Sequence, residues 1–156
     1  LRRCREAVPG VTAVCKQGRH AHYNVFISMK KMSEGDPGRA AAAALTFDHT
    51  KNVFVFDDDI DVFNPTDILW AFATRVQPHK QVSILQPLFR GNFLDPSLLD
   101  EIKTSGMIVD ATRPLDRPFS PVSKCPDDAM ARIKLEDYVP GEVLQHIPTD
   151  RTTYWA

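Results

Sequence analysis

The chain has 156 residues, with 19 Lys and Arg against 20 Asp and Glu, and is 43% hydrophobic and 25% charged. That length supports one domain with a real core and little more, and a net charge of −1 offers no basic excess for neutralising nucleic-acid phosphates. The longest apolar runs, Ala40–Leu45 and Val53–Phe56, are far short of a membrane span, so a soluble cytoplasmic protein is expected.

Taken in chain order, Val11–Cys15 is short and β-compatible, and Tyr23–Met29 (YNVFISM) is a stronger strand rich in β-branched and aromatic residues. The polar stretch KQGRHAH between them, with Gly18, reads as a turn. After the breaker SEGDPG, the five alanines of Arg39–Phe47 predict a helix whose small side chains suit close packing on a sheet. Asp36 and Pro37 are expected as its cap and first-turn proline. Asn52–Phe56 (NVFVF) has the nearly continuous apolar pattern of a strand covered on both faces.

Asn64, Pro65 and Asp67 mark the start of a second helix. It runs to about Val76, with Ile68, Leu69, Phe72 and Val76 expected on one buried face, and Pro78 ends it. Gln81–Leu85 predicts another buried strand, the stretch from Asp95 to Gly106 a short helix, and Met107–Asp110 a last short strand. Strand–helix alternation of this kind predicts an α/β fold, a three-layer open sheet with flanking helices. Half of the 12 prolines fall from Pro114 onward, and this stretch predicts an extended proline-rich C-terminal arm with a helix at Asp128–Asp137. The division expected is an α/β domain over residues 1–112 and the arm over 113–156. Because the chain begins with Leu1 rather than Met, further sequence is expected upstream.

Cys4, Cys15 and Cys125 are an odd set without CxxC spacing, which argues for idle or buried thiols over a disulfide framework or zinc site. Catalysis by Cys15 would need His20 or His22 brought round to it as a base. His49, His79 and His146 stand singly, and Gly91 follows a strand as a loop or a plain turn. There is no nucleophile elbow, P-loop or GxGxxG motif.

The conspicuous feature is Asp57, Asp58, Asp59 and Asp61 directly after the central apolar strand. Four carboxylates in five positions require relief of their mutual repulsion. Two readings fit. One is structural: a turn that caps the next helix and pairs with Arg or Lys of neighbouring elements. The other is a divalent-metal-binding phosphoacceptor or phosphatase-like module, in which Asp57 and Asp59 supply the Asp-x-Asp at a strand's C-terminal end. Ile60-Asp61 does not match the residues such phosphatases carry after that pair.

The ordered motifs ISMKK (Ile27–Lys31), the alanine helix, VFVFDDDIDVFNPTDILWAFATRVQP (Val53–Pro78), GNFLDPSL (Gly91–Leu98) and IVDATRP (Ile108–Pro114) resemble the C-terminal domain of the UbiD family of decarboxylases. That family is of the 3-octaprenyl-4-hydroxybenzoate and aromatic-acid carboxy-lyase type. The resemblance covers about Gly10 to Pro118. It implies a lyase that adds or removes carboxylate on aromatic, heteroaromatic or α,β-unsaturated acids. It also implies prenylated FMN with Mn²⁺ or Mg²⁺ and K⁺, bound by an upstream domain. No catalytic, cofactor-binding or metal residue of the family matches here, so this piece alone is expected to be inactive. The implied role is subunit association, as a dimer or higher homo-oligomer, together with one wall of the substrate pocket. Gln86, Leu88, Phe89 and Arg90 are the substrate-pocket candidates, with Val109–Thr112 as a second strand-end loop. The acidic cluster is then structural or at an interface. The proline-rich arm, ending near Trp155, would reach another subunit.

Overall fold

The structure, a computed structural model, describes residues 2–17, 23–47, 49–90, 94–98, 103–121, 126–132 and 134–145, with Leu88, Phe89, Arg90, Asp127, Met130, Leu135 and Leu144 described in backbone alone. His20, His22, Gly91, Cys125, His146 and Trp155 lie outside the described residues. Residues up to Phe119 form one compact unit and those from Ser120 a second.

The first unit is built on one five-stranded sheet. Its elements are α1 (Arg2–Ala7), β1 (Val11–Gln17), β2 (Asn24–Met29), α2 (Asp36–Leu45), β3 (Asn52–Asp57), α3 (Pro65–Arg75), α4 (Pro78–Gln81), β4 (Val82–Arg90) and β5 (Lys103–Ala111). The strand order is β1-β2-β3-β5-β4. β2, β3 and β5 run parallel, while β1 and β4 pair antiparallel at the two margins. The expected α/β class is observed, as a mixed open sheet with helices on both faces.

Each face has its own core. Val25, Ile27 and Met29 of β2, with Val53 and Val55 of β3, pack with Cys4 of α1 and with Ala40, Ala41 and Ala44 of α2. The alternate residues Phe26 and Phe56 pack with Ile60, Ile68 and Ala71 on the α3 side. This period-two division is what a strand buried on both sides demands. The three alanines are fully buried, which allows α2 to lie close on the sheet. Phe56, also fully buried, contributes on the order of 1.5–3 kcal/mol by removing its ring from water. Cys4 and Cys15 are buried and not disulfide-bonded.

Several expectations are corrected. Asp36 is the first residue of α2 rather than its cap: Gly35 occupies the cap position. The Asp36 carboxylate accepts from the backbone N–H of Met32 and Ser33 and from the Ser33 hydroxyl, bracing the preceding loop instead. In α3 the cap is as expected, with the Asn64 side chain accepting from Thr66 N–H and Pro65 in the first turn. Its buried stripe, however, is Ile68, Ala71 and Arg75. Leu69 and Phe72 are exposed, because the helix covers only part of its sheet face. β4 is an edge strand, so Ile84 is 70% exposed, and the strand runs on to Arg90. Its pairing with β5 is irregular between Leu85 and Phe89, around Pro87, which has no N–H to give a ladder.

The helix expected from Asp95 to Gly106 is not formed in its described parts. Residues 94–98 are turns, and Lys103–Gly106 belong to β5, which is therefore twice as long as the Met107–Asp110 strand read from sequence. Short α1 and α4 were not foreseen. In the second unit the helix expected at Asp128–Asp137 is two pieces, α5 (Asp127–Arg132) and a 3₁₀ turn (Leu135–Asp137), followed by α6 (Gly141–Leu144).

One close approach ties the fold to the strand ends. The Lys30 N–H donates to Gly10 O at 2.8 Å, and a Cβ at Gly10 would stand 2.2 Å from the Lys30 carbonyl oxygen. Only glycine permits this approach, and the obstacle is backbone, which yields poorly. Gly10→Ala is therefore expected to lower stability by about 1–3 kcal/mol, read as a reduced urea midpoint at unchanged slope.

Candidate functional site

In open α/β sheets, ligand crevices form outside the carboxyl ends of the strands. Here β2 leads into Lys30 and Lys31, β3 into Asp57–Asp59, and β5 into Thr112 and Arg113. Together they bound a crevice of about 350 Å³ with a charged floor of Lys30, Lys31, Asp57, Asp58 and Arg113. Pro114, Leu115 and Phe119 make an apolar wall.

An ion network organises this end. Arg75, with a side chain 1% exposed, reaches back from the last turn of α3. It donates from Nη1 to Asp57 Oδ2 at 2.9 Å and to Asp59 Oδ1 at 2.9 Å, and from Nη2 to Asp59 Oδ2 at 2.8 Å. Its guanidinium also lies over the Trp70 ring, 5.3 Å from the centroid. Arg113 adds its backbone N–H at 2.8 Å and its Nε at 3.2 Å to Asp57 Oδ2. Burial pushes the Asp57 carboxyl above its ordinary value, against the pull of the Arg113 N–H and the two guanidinium charges. Hydrogen bonds from Arg75 hold Asp59 below its ordinary value. For Arg75 burial opposes the charge, but Asp59 and Asp57 outweigh it and raise its pKa.

The other acids have separate tasks. Asp61 accepts from Phe63 N–H at 2.9 Å, a turn that leads into α3, while Asp58 is exposed on the crevice floor. Asp110 accepts from the N–H and hydroxyl of Thr112, closing β5 just before Arg113. The carboxylates of Asp57 and Asp59 are thus answered by arginine. Among the described residues no group of three or more His, Cys, Asp or Glu side chains has a metal-holding geometry. A floor of paired lysine, arginine and aspartate does not fit a divalent cation.

Gln86, Leu88, Phe89 and Arg90 stand elsewhere. β4 runs antiparallel, and Arg90 pairs with Lys103 at the start of β5. The segment therefore lies at the opposite end of the sheet from Asp57 and Arg113, about 25 Å away along the strand at ~3.3 Å per residue. Gln86 is exposed there. The same end carries the Asp95–Ser97 turn, which Lys51 clamps through 2.8 Å and 2.7 Å bonds to Asp95 Oδ2 and Ser97 Oγ. His49 has a positive φ of 66° in a turn, and His79 is exposed in α4.

Beside α3 a second hollow, about 420 Å³ and almost wholly apolar, lies between Phe26, Phe54 and Met107 of the sheet and Ile68, Leu69 and Phe72 of the helix. Phe54 stacks on Phe26 at 5.1 Å and meets Phe72 edge-on at 6.3 Å.

Sequence reasoning missed the basic half of the strand-end site. The available signal was Arg75 itself: a cation at the third position of the stripe Ile68, Ala71, Arg75 must be buried, and a buried cation needs a carboxylate.

Comparison with known proteins agrees with this architecture. Residues 1–111 match the family model described as the 3-octaprenyl-4-hydroxybenzoate carboxy-lyase C-terminal domain, and the chain belongs to that family, the UbiD class. An anhydromevalonate phosphate decarboxylase of Aeropyrum pernix is 40% identical over 114 residues, 72% of this chain and 26% of that protein. The structure of the UbiD-class enzyme HmfF from Pelotomaculum thermopropionicum in complex with FMN aligns at TM-score 0.73 and 35% identity, covering 88% of this chain and 31% of that one. Vanillic acid decarboxylase of Sedimentibacter hydroxybenzoicus, in its closed form, aligns at TM-score 0.71 and 30% identity, covering 87% and 30%. This chain thus spans roughly a quarter to a third of the proteins it matches.

Two outcomes are expected of the ion network. Arg75→Met should cost about 3–5 kcal/mol, because it leaves the Asp57 carboxylate buried with its inner partner gone. The check is chemical denaturation, and a loss under 1 kcal/mol would refute the assignment. Acid should also weaken the fold. Asp59 is held low by Arg75, Asp36 by Ser33 and the Met32 N–H, and Asp95 by Lys51 and Ser97. The stability from such groups is present above the ordinary carboxylate value of about 4 and is lost as pH falls towards their lowered values. Asp57, pushed up, acts in the opposite sense at higher pH. Calorimetry should show the melting temperature dropping steeply between pH 4 and 2.5.

Proposed function

We propose that this chain is the oligomerisation and pocket-wall domain of a UbiD-class (de)carboxylase acting on aromatic, heteroaromatic or α,β-unsaturated carboxylic acids. The observation that carries the reading is the strand-end crevice, a charged floor beside a smaller apolar wall, in a chain spanning only 26% of its decarboxylase relative. The composition of that crevice suits one side of a cavity for an apolar acid. The buried Asp57 carboxylate is committed to Arg75 and Arg113, which supports a structural rather than a proton-transferring task for it. In this reading the reacting groups belong to the part of the protein outside this chain, which spans 26% of its relative.

That part would also hold prenylated FMN with Mn²⁺ or Mg²⁺ and K⁺. When bound, the flavin supplies the electron sink that decarboxylation of an unsaturated acid requires. Gln86, Leu88, Phe89 and Arg90 lie at the opposite end of the sheet from the strand-end crevice, so they would face a substrate only at a separate surface completed by another domain or subunit. Their position on an edge strand, with one hydrogen-bonding side unpaired in the sheet, suits contact with another domain or subunit. Of the 113–156 arm, residues 113–119 line this unit's own crevice, and the remainder from Ser120 is proposed to lie on a neighbouring subunit. The open apolar hollow beside α3 supports self-association, since exposed Leu69, Phe72 and Ile84 extend its rim.

Two measurements test this reading. The 156-residue piece, supplied with reconstituted cofactor, should show no decarboxylation of aromatic or unsaturated acids; turnover would overturn the pocket-wall role. Sedimentation should find dimers or larger assemblies at micromolar concentration, and a compact monomer throughout would sink the oligomerisation role.

A further inference from the structure

The segment Arg113–Phe119 forms the apolar wall of the crevice, yet its side chains are not held by core packing: Leu115 is 54% and Phe119 39% exposed. What holds it is electrostatic. Arg113 gives its N–H and Nε to Asp57 Oδ2 and stands 3.6 Å from Asp59. The Arg113 carbonyl accepts from Lys31 Nζ at 3.0 Å. Leu115 N–H donates to Glu34 Oε1 at 2.6 Å, and the other oxygen of Glu34 pairs with Lys31. Every fastening thus involves a charged side chain from the β2–α2 loop or the end of β3.

The fastenings differ in depth. Asp57 is nearly buried and remains paired with Arg75 whether or not Arg113 is present. Arg113 and Glu34 are half-exposed. Screening by salt acts strongly on exposed charges and weakly on buried ones, so the outer fastenings can open while the inner pair holds. Beneath the segment lies Lys31, whose side chain is 3% exposed although it carries an ammonium.

We propose that Arg113–Phe119 is a strap that gates the strand-end crevice, latched by Glu34 and Asp57 and opened independently of global unfolding. Its release uncovers the Lys31 amine and widens the crevice, while Arg75 keeps Asp57 and Asp59 in place. The reading stands whether or not the crevice faces a decarboxylase substrate, because its readouts involve neither turnover nor assembly.

The test combines amide hydrogen exchange with acetylation of lysines in the intact chain, each at 50 mM and 1 M NaCl. At low salt the Arg113 and Leu115 amides should be protected, and Lys31 should acetylate at least tenfold more slowly than exposed Lys30. At 1 M NaCl both protections should fall about tenfold, while the amides of Val53–Phe56 stay protected. Glu34→Gln keeps the shape of an exposed side chain and removes its charge, and should reproduce the high-salt behaviour at 50 mM. If Lys31 and the Leu115 amide stay protected in both conditions, or lose protection only together with Val53–Phe56, there is no separate strap.

Discussion

The carboxylate of Asp57 is the point on which this end of the molecule turns. It sits at the tip of the central strand β3 and receives Arg75 from α3 and both the backbone and side chain of Arg113 from the end of β5. Three elements that are distant in sequence meet on one group. A buried ion pair of this kind adds little net stability, because desolvation of both charges offsets their attraction. Its effect is geometric. Without Arg75, Asp57 keeps only the half-exposed Arg113, and without Asp57, Arg75 keeps only Asp59, so arrangements in which α3 or the β5 exit drift away are disfavoured.

The two faces of the sheet show how side-chain size sets what a helix can cover. On one side, Ala40, Ala41 and Ala44 let α2 approach closely and bury the residues of β2 and β3 beneath it. On the other, α3 carries Leu69, Trp70 and Phe72, and it covers the sheet only along Ile68, Ala71 and Arg75. The aromatic floor of Phe26 and Phe54 consequently stays partly open. The first face completes the domain's own core. The second leaves apolar surface that another body can use.

Within the UbiD class this division supports the proposed role of the domain as a wall and a contact surface. A fold does not by itself specify chemistry, which resides in the groups placed on it. Here the strand ends carry charges that largely satisfy one another, and the crevice they bound is shaped by a segment fastened through exposed ions. The Lys51 clamp on Asp95 and Ser97 performs the equivalent task at the other end of the sheet. In the acidic string after β3, Asp57 binds Arg75 and Arg113 and Asp61 binds the Phe63 N–H.

Local chemistry was readable directly from the sequence. The strands around Phe26 and Phe54, the alanine helix and the Asn64–Pro65 helix start all follow from short-range pattern and propensity, while the family follows from the resemblance of the ordered motifs. Pattern and propensity depend on neighbours within a few residues. Hidden from that reading was everything set by long-range pairing: that KTSG extends β5 because β4 folds back on it, that β4 is an edge, and that Gln86–Arg90 stand opposite to Arg113. The partners of Asp57 are 18 and 56 residues away. The run of aspartates announced a need for positive charge, but only the packing of α3 and β5 against one strand end decided which arginines meet it.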